Sequence, residues 1–295
     1  MKWVKSTQLR LATATATIGL AAAAVALPTF GDWSAPADVE SLPGSSAEVN
    51  TPSIDGCASI SPDGLTLAFN SFRTGNQDIY LATRTNTSEG FGDPVLLPST
   101  INKLAPESCP TLTRGNRLYF TRASLAPADP GDLFVSQLGP NGWSEAQRLG
   151  PAVNNTGTAE QSASFYEDDE GREVLVFSRL PNGPFTGPGG KIYQSVDGAP
   201  ATLVAGGPHS SFSDNRPSVT HDGRTIFWDS DRTGTLGGPD YWYATRSSTS
   251  QPWGQAIHLP QLSSAAADTR PYVGWRGDMM IINSASDIYF ATRDK

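Results

Sequence analysis

Five copies of one short pattern run through this chain, and such a period limits the fold more than any single residue does. The clearest copy is SPDGLTLAFNSFRTGNQDIYLATR at 61–84, and it returns at 110–136, 162–195, 217–246 and 271–293. Each copy reads as a short strand, a Gly turn, an apolar strand, a polar loop and a third strand. Gly64, Gly115, Gly171, Gly223 and Gly277 close the first turn, with LTLAFNS, RLYFT, EVLVFS, TIFWDS and MMIINS behind them. Asp-Gly or a similar pair between alternating apolar runs is a strong hairpin signal. The third strand carries Tyr80, Phe134, Tyr193, Trp242 and Tyr289, residue types that suit a pleated, half-buried surface. Repeats of this length mean solenoids, propellers or arrays, and an all-β unit of this size is a propeller blade.

A fourth strand lies between copies. Trp33, Phe91, Trp143 and Trp253 open segments that end near Leu42, Leu97, Leu149 and Leu259, with ATLV at 201–204 as a weaker version. The first of these precedes the first repeat, and only Asp294 and Lys295 follow the last. The strand around 37–42 therefore has one sensible partner, the incomplete last blade, and pairing there removes exposed sheet edges. The expected architecture is all-β: a five-bladed β-propeller with four antiparallel strands per blade, its ring closed by the N-terminal strand. Residues 27–295 form one domain on this reading.

Residues 1–26 stand apart. Lys2, Lys5 and Arg10 precede the Ala-rich apolar run LATATATIGLAAAAVA, which ends in the A-x-A site Ala24-Val25-Ala26. This reads as a secretory signal peptide. The alternative, a membrane anchor, asks for a longer and more apolar stretch. The expected location is secreted or periplasmic, with no membrane insertion after cleavage. The chain carries 29 Asp and Glu against 21 Lys and Arg, a net charge of −8. That balance argues against nucleic acid and anionic membrane surfaces, which need basic patches. The two cysteines, Cys57 and Cys109, would meet an oxidising space, where a disulfide is allowed.

The pattern resembles the TolB-like (WD-like) β-propeller repeat of secreted and periplasmic bacterial proteins. The matching residues are Ser-Pro-Asp-Gly at 61–64, Phe-x-Ser-x-Arg at 69–73, and Asp-Ile-Tyr at 78–80 and 287–289. The resemblance covers essentially all of the chain after residue 26 and implies the fold. It does not imply one function, because the family includes partner-binding proteins, peptidase domains and lyases. The third blade departs from the pattern, with Lys191 where the other four have Asp.

One acidic residue precedes each first strand: Asp55, Glu107, Glu160, Asp214 and Asp268, spaced 52, 53, 54 and 54 apart. First strands line a propeller's channel, so these form a ring at its mouth. Five carboxylates on one rim could hold a hard cation such as Ca²⁺, although no cofactor is required. Alternatively, two could act as acid and base on a glycosidic bond, with Asp268, Asp214 and Glu160 as candidates. A structural reading competes with both. Folding each first strand onto its second brings Arg73, Arg122, Arg179 and Arg232 to four of the five acids, as repeated salt bridges. In the last blade Ser284 and Ser286 stand where the Arg should be, which leaves Asp268 as the acid expected to be free.

Two residues further along each strand come Cys57, Cys109, Ser162, Arg216 and Arg270. Arg216 and Arg270 could clamp a carboxylate or sulfate, or Arg270 could replace the missing Arg and pair with Asp268. Cys57 and Cys109 occupy equivalent places on adjacent inner strands, so a disulfide would staple the first two blades if their Cα atoms come within about 7 Å. His209, His221 and His258 fall on different faces and form no metal site or Ser-His pair. Each Trp of a fourth strand is assigned to packing between blades. The loops at 122–131, 180–190 and 232–239 emerge on the acidic face, where any ligand is expected. The leading expectation is a monomeric exported binding or scaffold protein that recognises a protein partner or cell-surface glycan there. The other is a glycosidase-type enzyme, and that rests on fold analogy.

Overall fold

The computed structural model of the protein describes residues 31–124, 130–181 and 189–294; the segment read as a signal peptide lies outside them. Strand β1 is Ala37–Asp38. The first unit holds β2 (Asp55–Ile60), β3 (Thr66–Ser71), β4 (Asp78–Thr83) and β5 (Val95–Leu96). The second holds β6 (Glu107–Thr113), β7 (Arg117–Ala123), β8 (Gly131–Gly139), β9 (Gly142–Trp143) and β10 (Gln147–Arg148). The third holds β11 (Ala159–Glu167), β12 (Glu173–Leu180), β13 (Lys191–Val196) and β14 (Thr202–Leu203). The fourth holds β15 (Asp214–Val219), β16 (Thr225–Ser230), β17 (Asp240–Thr245) and β18 (Ile257–His258). The fifth holds β19 (Thr269–Val273), β20 (Met279–Ser284) and β21 (Asp287–Thr292). Each unit is an antiparallel meander, and β1 adds to the fifth through Ala37↔Phe290 and Asp38↔Tyr289. A single parallel pair, Ala159↔Gly131, joins the second and third units.

The apolar residues of the second strands alternate between two neighbours, because successive side chains of a strand point to opposite faces. Leu67 and Phe69 of β3 pack with Ile281 and Ile288 of the fifth unit, whereas Ala68 packs with Leu118 and Phe120 of the second. Tyr119 of β7 turns to Leu175 and Phe177 of the third unit, and Val174 and Val176 turn to Trp228 of the fourth. Phe227 of β16 meets Met280 and Ile282 of the fifth. Both faces of every second strand are thus buried, which is why these stretches read as nearly continuous apolar runs. Each large side chain so buried contributes about 2 kcal/mol.

The inner strands share an irregularity. Each shifts register midway, between Gly56 and Ser59, Ser108 and Thr111, Gln161 and Ser164, Asn215 and Ser218, and Thr269 and Tyr272. At each bulge one non-glycine residue has left-handed φ: Cys57 (46°), Cys109 (50°), Ser162 (57°), Arg216 (48°) and Arg270 (63°). That conformation is uncommon for such residues, so a contact must hold it. At three of these bulges the N–H is taken by the end of the preceding unit's second strand: Cys109 N donates to Asn70 Oδ1 at 3.2 Å, Arg216 N to Ser178 Oγ at 2.6 Å, and Arg270 N to Asp229 Oδ1 at 3.0 Å.

Candidate functional site

The acidic ring is built by backbone bonds first. The N–H of Asp55 donates to Ser286 O at 2.9 Å, that of Glu107 to Gln77 O at 2.8 Å, that of Asp214 to Gly190 O at 2.9 Å and that of Asp268 to Pro239 O at 2.8 Å. These four acids are thereby clasped to the carbonyl that precedes the third strand of the unit before them. Across its own hairpin the arginine follows. Arg73 reaches Asp55 at 2.8 Å, Arg122 reaches Glu107 at 2.6 Å, Arg179 reaches Glu160 at 2.7 Å, and Arg232 pairs with Asp214. These guanidinium groups lie over the third-strand aromatics: Arg73 is 4.7 Å from the Tyr80 ring centre, Arg122 4.4 Å from Phe134, Arg179 4.3 Å from Tyr193 and Arg232 5.1 Å from Trp242. The repeated aromatic is therefore an arginine platform as well as a strand former.

The second carboxylate oxygen ties down the incoming loop. Asp55 Oδ2 accepts from Thr51 N and Oγ1, each at 2.6 Å, Glu107 Oε2 from Lys103 N at 3.0 Å, and Asp214 Oδ2 from Ser210 N at 3.0 Å. Asp268 keeps this bond, accepting from Ser264 N and from Ser264 Oγ at 2.9 Å, but no arginine reaches it among the described residues. It is nonetheless buried, at 1% exposure. Burial raises the carboxyl pKa of Glu107, Glu160 and Asp268 above the ordinary value, against the hydrogen bonds and charges that lower it. A hard cation needs several of these oxygens converging on one point. Here four carboxylates each meet their own arginine and the fifth a serine, and no three of the His, Cys, Asp and Glu side chains among the described residues converge as metal ligands would.

The bulge residues line the central channel together with Pro110, Pro217 and Pro271, around about 20 Å³ of free space. Cys57 and Cys109 are joined as a disulfide with their Cα atoms 4.7 Å apart. Arg216 is bound in a two-pronged pair to Asp229, Nε to Oδ1 at 2.7 Å and Nη2 to Oδ2 at 2.6 Å, and both residues are buried. Arg270 does not pair with Asp268; its N–H goes to Asp229, and its Nε is buried with no hydrogen-bond partner among the described residues. The bulge explains this, because its left-handed backbone turns the Arg270 side chain into the channel rather than along the hairpin.

Two grooves of about 250 and 270 Å³ open at the other end of the inner hairpins and share Ser61, Pro62 and Asp63. Arg84, Trp275, Arg276 and Arg293 line the first, and Arg114 and Trp143 the second. His221 stacks on Trp275 with ring centres 3.7 Å apart, and the guanidinium of Arg114 lies 4.3 Å from the Trp275 ring centre. His258 Nε2 lies 2.7 Å from Asp240 Oδ2 in the fourth unit. On the acidic face, large apolar side chains exposed among the described residues are Ile54, Phe72, Leu104, Phe212 and Leu236. Of the loops expected there, 125–129 and 182–188 lie outside the described residues.

Several residues of this framework escaped the sequence reading. Asp229 was visible only as one polar residue ending an apolar strand. The signal was its repetition, since Asn70, Thr121, Ser178 and Asn283 hold the same place and are buried too. The ATR ending of three third strands was another. Arg84, Arg246 and Arg293 donate Nε to the turn carbonyls of Gly64, Gly223 and Gly277 at 2.8, 2.7 and 2.7 Å. They lie 4.5, 4.0 and 4.3 Å from the ring centres of Phe91, Trp253 and Trp33. Lys191 departs from the Asp of other units because it donates to Ser210 O at 2.7 Å and to Phe212 O.

Solved structures with this arrangement were found at low sequence identity. TolB from Acinetobacter baumannii superposes with a TM-score of 0.54 at 13% identity, over 90% of this chain and 64% of that one. A thermostable family-43 glycoside hydrolase gives 0.56 at 12% identity, over 85% of this chain and 92% of that one. A GH43_1 enzyme from Xanthomonas citri gives 0.55 at 12% identity, over 86% and 92%. The fold is that of a β-propeller. The chain spans less than two thirds of the Acinetobacter TolB. No protein-family model and no curated protein matches the sequence.

Proposed function

We propose that this chain is an exported five-bladed β-propeller that binds a protein partner through its acidic face. Strand β1 closes the ring on the outer edge of the fifth blade, and the core shared by Phe69 and Ile281 seals the first blade to the last. Export follows from the basic, apolar and small-residue order of residues 1–26. One observation carries the binding role: Ile54, Phe72, Leu104, Phe212 and Leu236 are exposed around a rim whose carboxylates are engaged beneath them. Apolar side chains gathered at one end of a soluble domain mark a protein contact more than a sugar site. The channel is too narrow for a sugar ring, so recognition uses the blade tops.

A glycosidase reading has one point in its favour. Asp268 lacks an arginine and has a raised pKa, as a general acid requires. It needs a second carboxylate about 5–9.5 Å away, and every other rim acid is held by an arginine. The test is affinity capture from an extract of the source organism, with the chain after residue 26 as bait, beside a panel of chromogenic glycosides. A captured protein should be lost with Leu104→Asp and Phe212→Asp and kept with Arg276→Glu on the opposite face. Capture that survives both apolar changes would defeat the reading. So would glycoside turnover abolished by Asp268→Asn.

A further inference from the structure

We propose that the central channel is a binding site for one halide-sized anion, held by Arg270 together with Ser162 and Arg216. The bulge residues follow one another around the channel as Cys57, Cys109, Ser162, Arg216 and Arg270, so the last three form one continuous arc opposite the disulfide. Arg270 Nε is buried without a partner, and so is Ser162 Oγ, in a residue 8% exposed. Both are donors that face the same small space. Arg270 as a whole is half-buried, but a buried N–H with no acceptor is costly, and so is a buried hydroxyl with none.

The carboxylates nearby do not relieve Arg270. Asp229 gives both oxygens to Arg216, and its Oδ1 also takes the Arg270 N–H. Asp268 is occupied by Ser264, and Asp55 by Arg73 and Thr51. With Asp229 matched to Arg216, the Arg270 guanidinium has no carboxylate of its own among the described residues. Burial, and then the like charge of Arg216, pull the Arg270 pKa down to about 10, so the group is still cationic at neutral pH. The free space of about 20 Å³ exceeds what one water requires, about 10–15 Å³. It is of the right order for a single chloride and far below a sulfate or a sugar. The prolines that follow Cys109, Arg216 and Arg270 offer no N–H, which leaves side-chain donors to do the binding.

The test is thermal melting of the folded chain in chloride against gluconate at constant ionic strength. Chloride at about ten times its dissociation constant should raise the midpoint by about 3 °C. Arg270→Gln should erase that rise and, in gluconate alone, melt no lower than the unsubstituted protein, because it removes a guanidinium that has no carboxylate of its own among the described residues. Ser162→Ala should weaken the apparent affinity several-fold, and exposed Arg276→Gln should leave the response intact. A bromide-soaked crystal should show one anomalous peak beside Arg270. Midpoints that do not differ between chloride and gluconate would overturn the site. A rise with formate but none with chloride would overturn its assignment to a halide-sized ion, and an equal chloride response in Arg270→Gln would place the ion elsewhere.

Discussion

Ser264 holds Asp268 by both its backbone N–H and its hydroxyl, 2.9 Å from the latter, in the one blade whose rim acid has no arginine. Asp55, Glu107 and Asp214 take a loop donor on one oxygen and a guanidinium on the other, whereas Glu160 takes Thr158 Oγ1 and Arg179 Nε both on Oε1. The rim is therefore a set of clamps that fix each loop to its hairpin, and the fifth clamp is the weakest.

Unequal clamps should have unequal mutational costs. Glu107→Gln leaves Arg122, mostly buried and stacked on Phe134, without its counter-charge, and should cost about 2–4 kcal/mol. Asp268→Asn strands no cation and should cost about 1 kcal/mol or less. Urea unfolding of the two variants beside the parent measures both, and equal losses would show that the arginines contribute nothing.

The same residue sets a pH signature. A carboxyl whose folded pKa is raised favours folding in its protonated form. Its contribution is fully present below the ordinary value of 3.8 and is lost as pH rises through the raised value. The difference between Asp268→Asn and the parent should therefore move in favour of the variant as pH climbs from about 3.8 towards neutrality. Asp63, Asp168 and Asp169 have lowered values and run the other way. The readout is accordingly the difference between the two proteins by denaturant titration, rather than either curve alone. A difference that is flat with pH would contradict the raised value.

The disulfide spans a 52-residue separation and joins the inner strands of the first two blades. Chain-entropy reasoning gives about 4 kcal/mol for a loop of this size. Cys57→Ser with Cys109→Ser should lower the midpoint of unfolding accordingly, and non-reducing peptide mapping of the parent should recover the linked pair. Two alkylatable thiols in native, unreduced protein would exclude the staple.

The proposed closure by β1 can be tested by a truncation. Removing 33–45 uncovers the edge of β21 and deletes Trp33, whose ring meets Phe227 edge-on at 6.1 Å and lies under Arg293. The loss should exceed that of Trp33→Ala alone, about 3–5 kcal/mol. A truncated protein that melts with the parent would rule out the pairing of β1 with β21.

Which parts of this were legible in the sequence follows from the range of the forces involved. Turn glycines, alternating apolar runs and the repeat interval are local, and they determined the strands, the hairpins and the partner of each rim arginine. Glu107 and Arg122 face each other because a two-strand register places them opposite. The Cys57 and Cys109 positions were readable for the same reason, as equivalents one repeat apart. What the tertiary structure decided lies between blades. The bulge that gives Arg270 its left-handed backbone is held by Asp229 of the preceding blade, and no hairpin register contains that contact. The burial of Asp268 likewise comes from neighbouring loops, so a residue that looked free by its missing arginine is enclosed. Local sequence fixes which residues share a strand; the closeness of two strands from different blades depends on how every blade packs against the next.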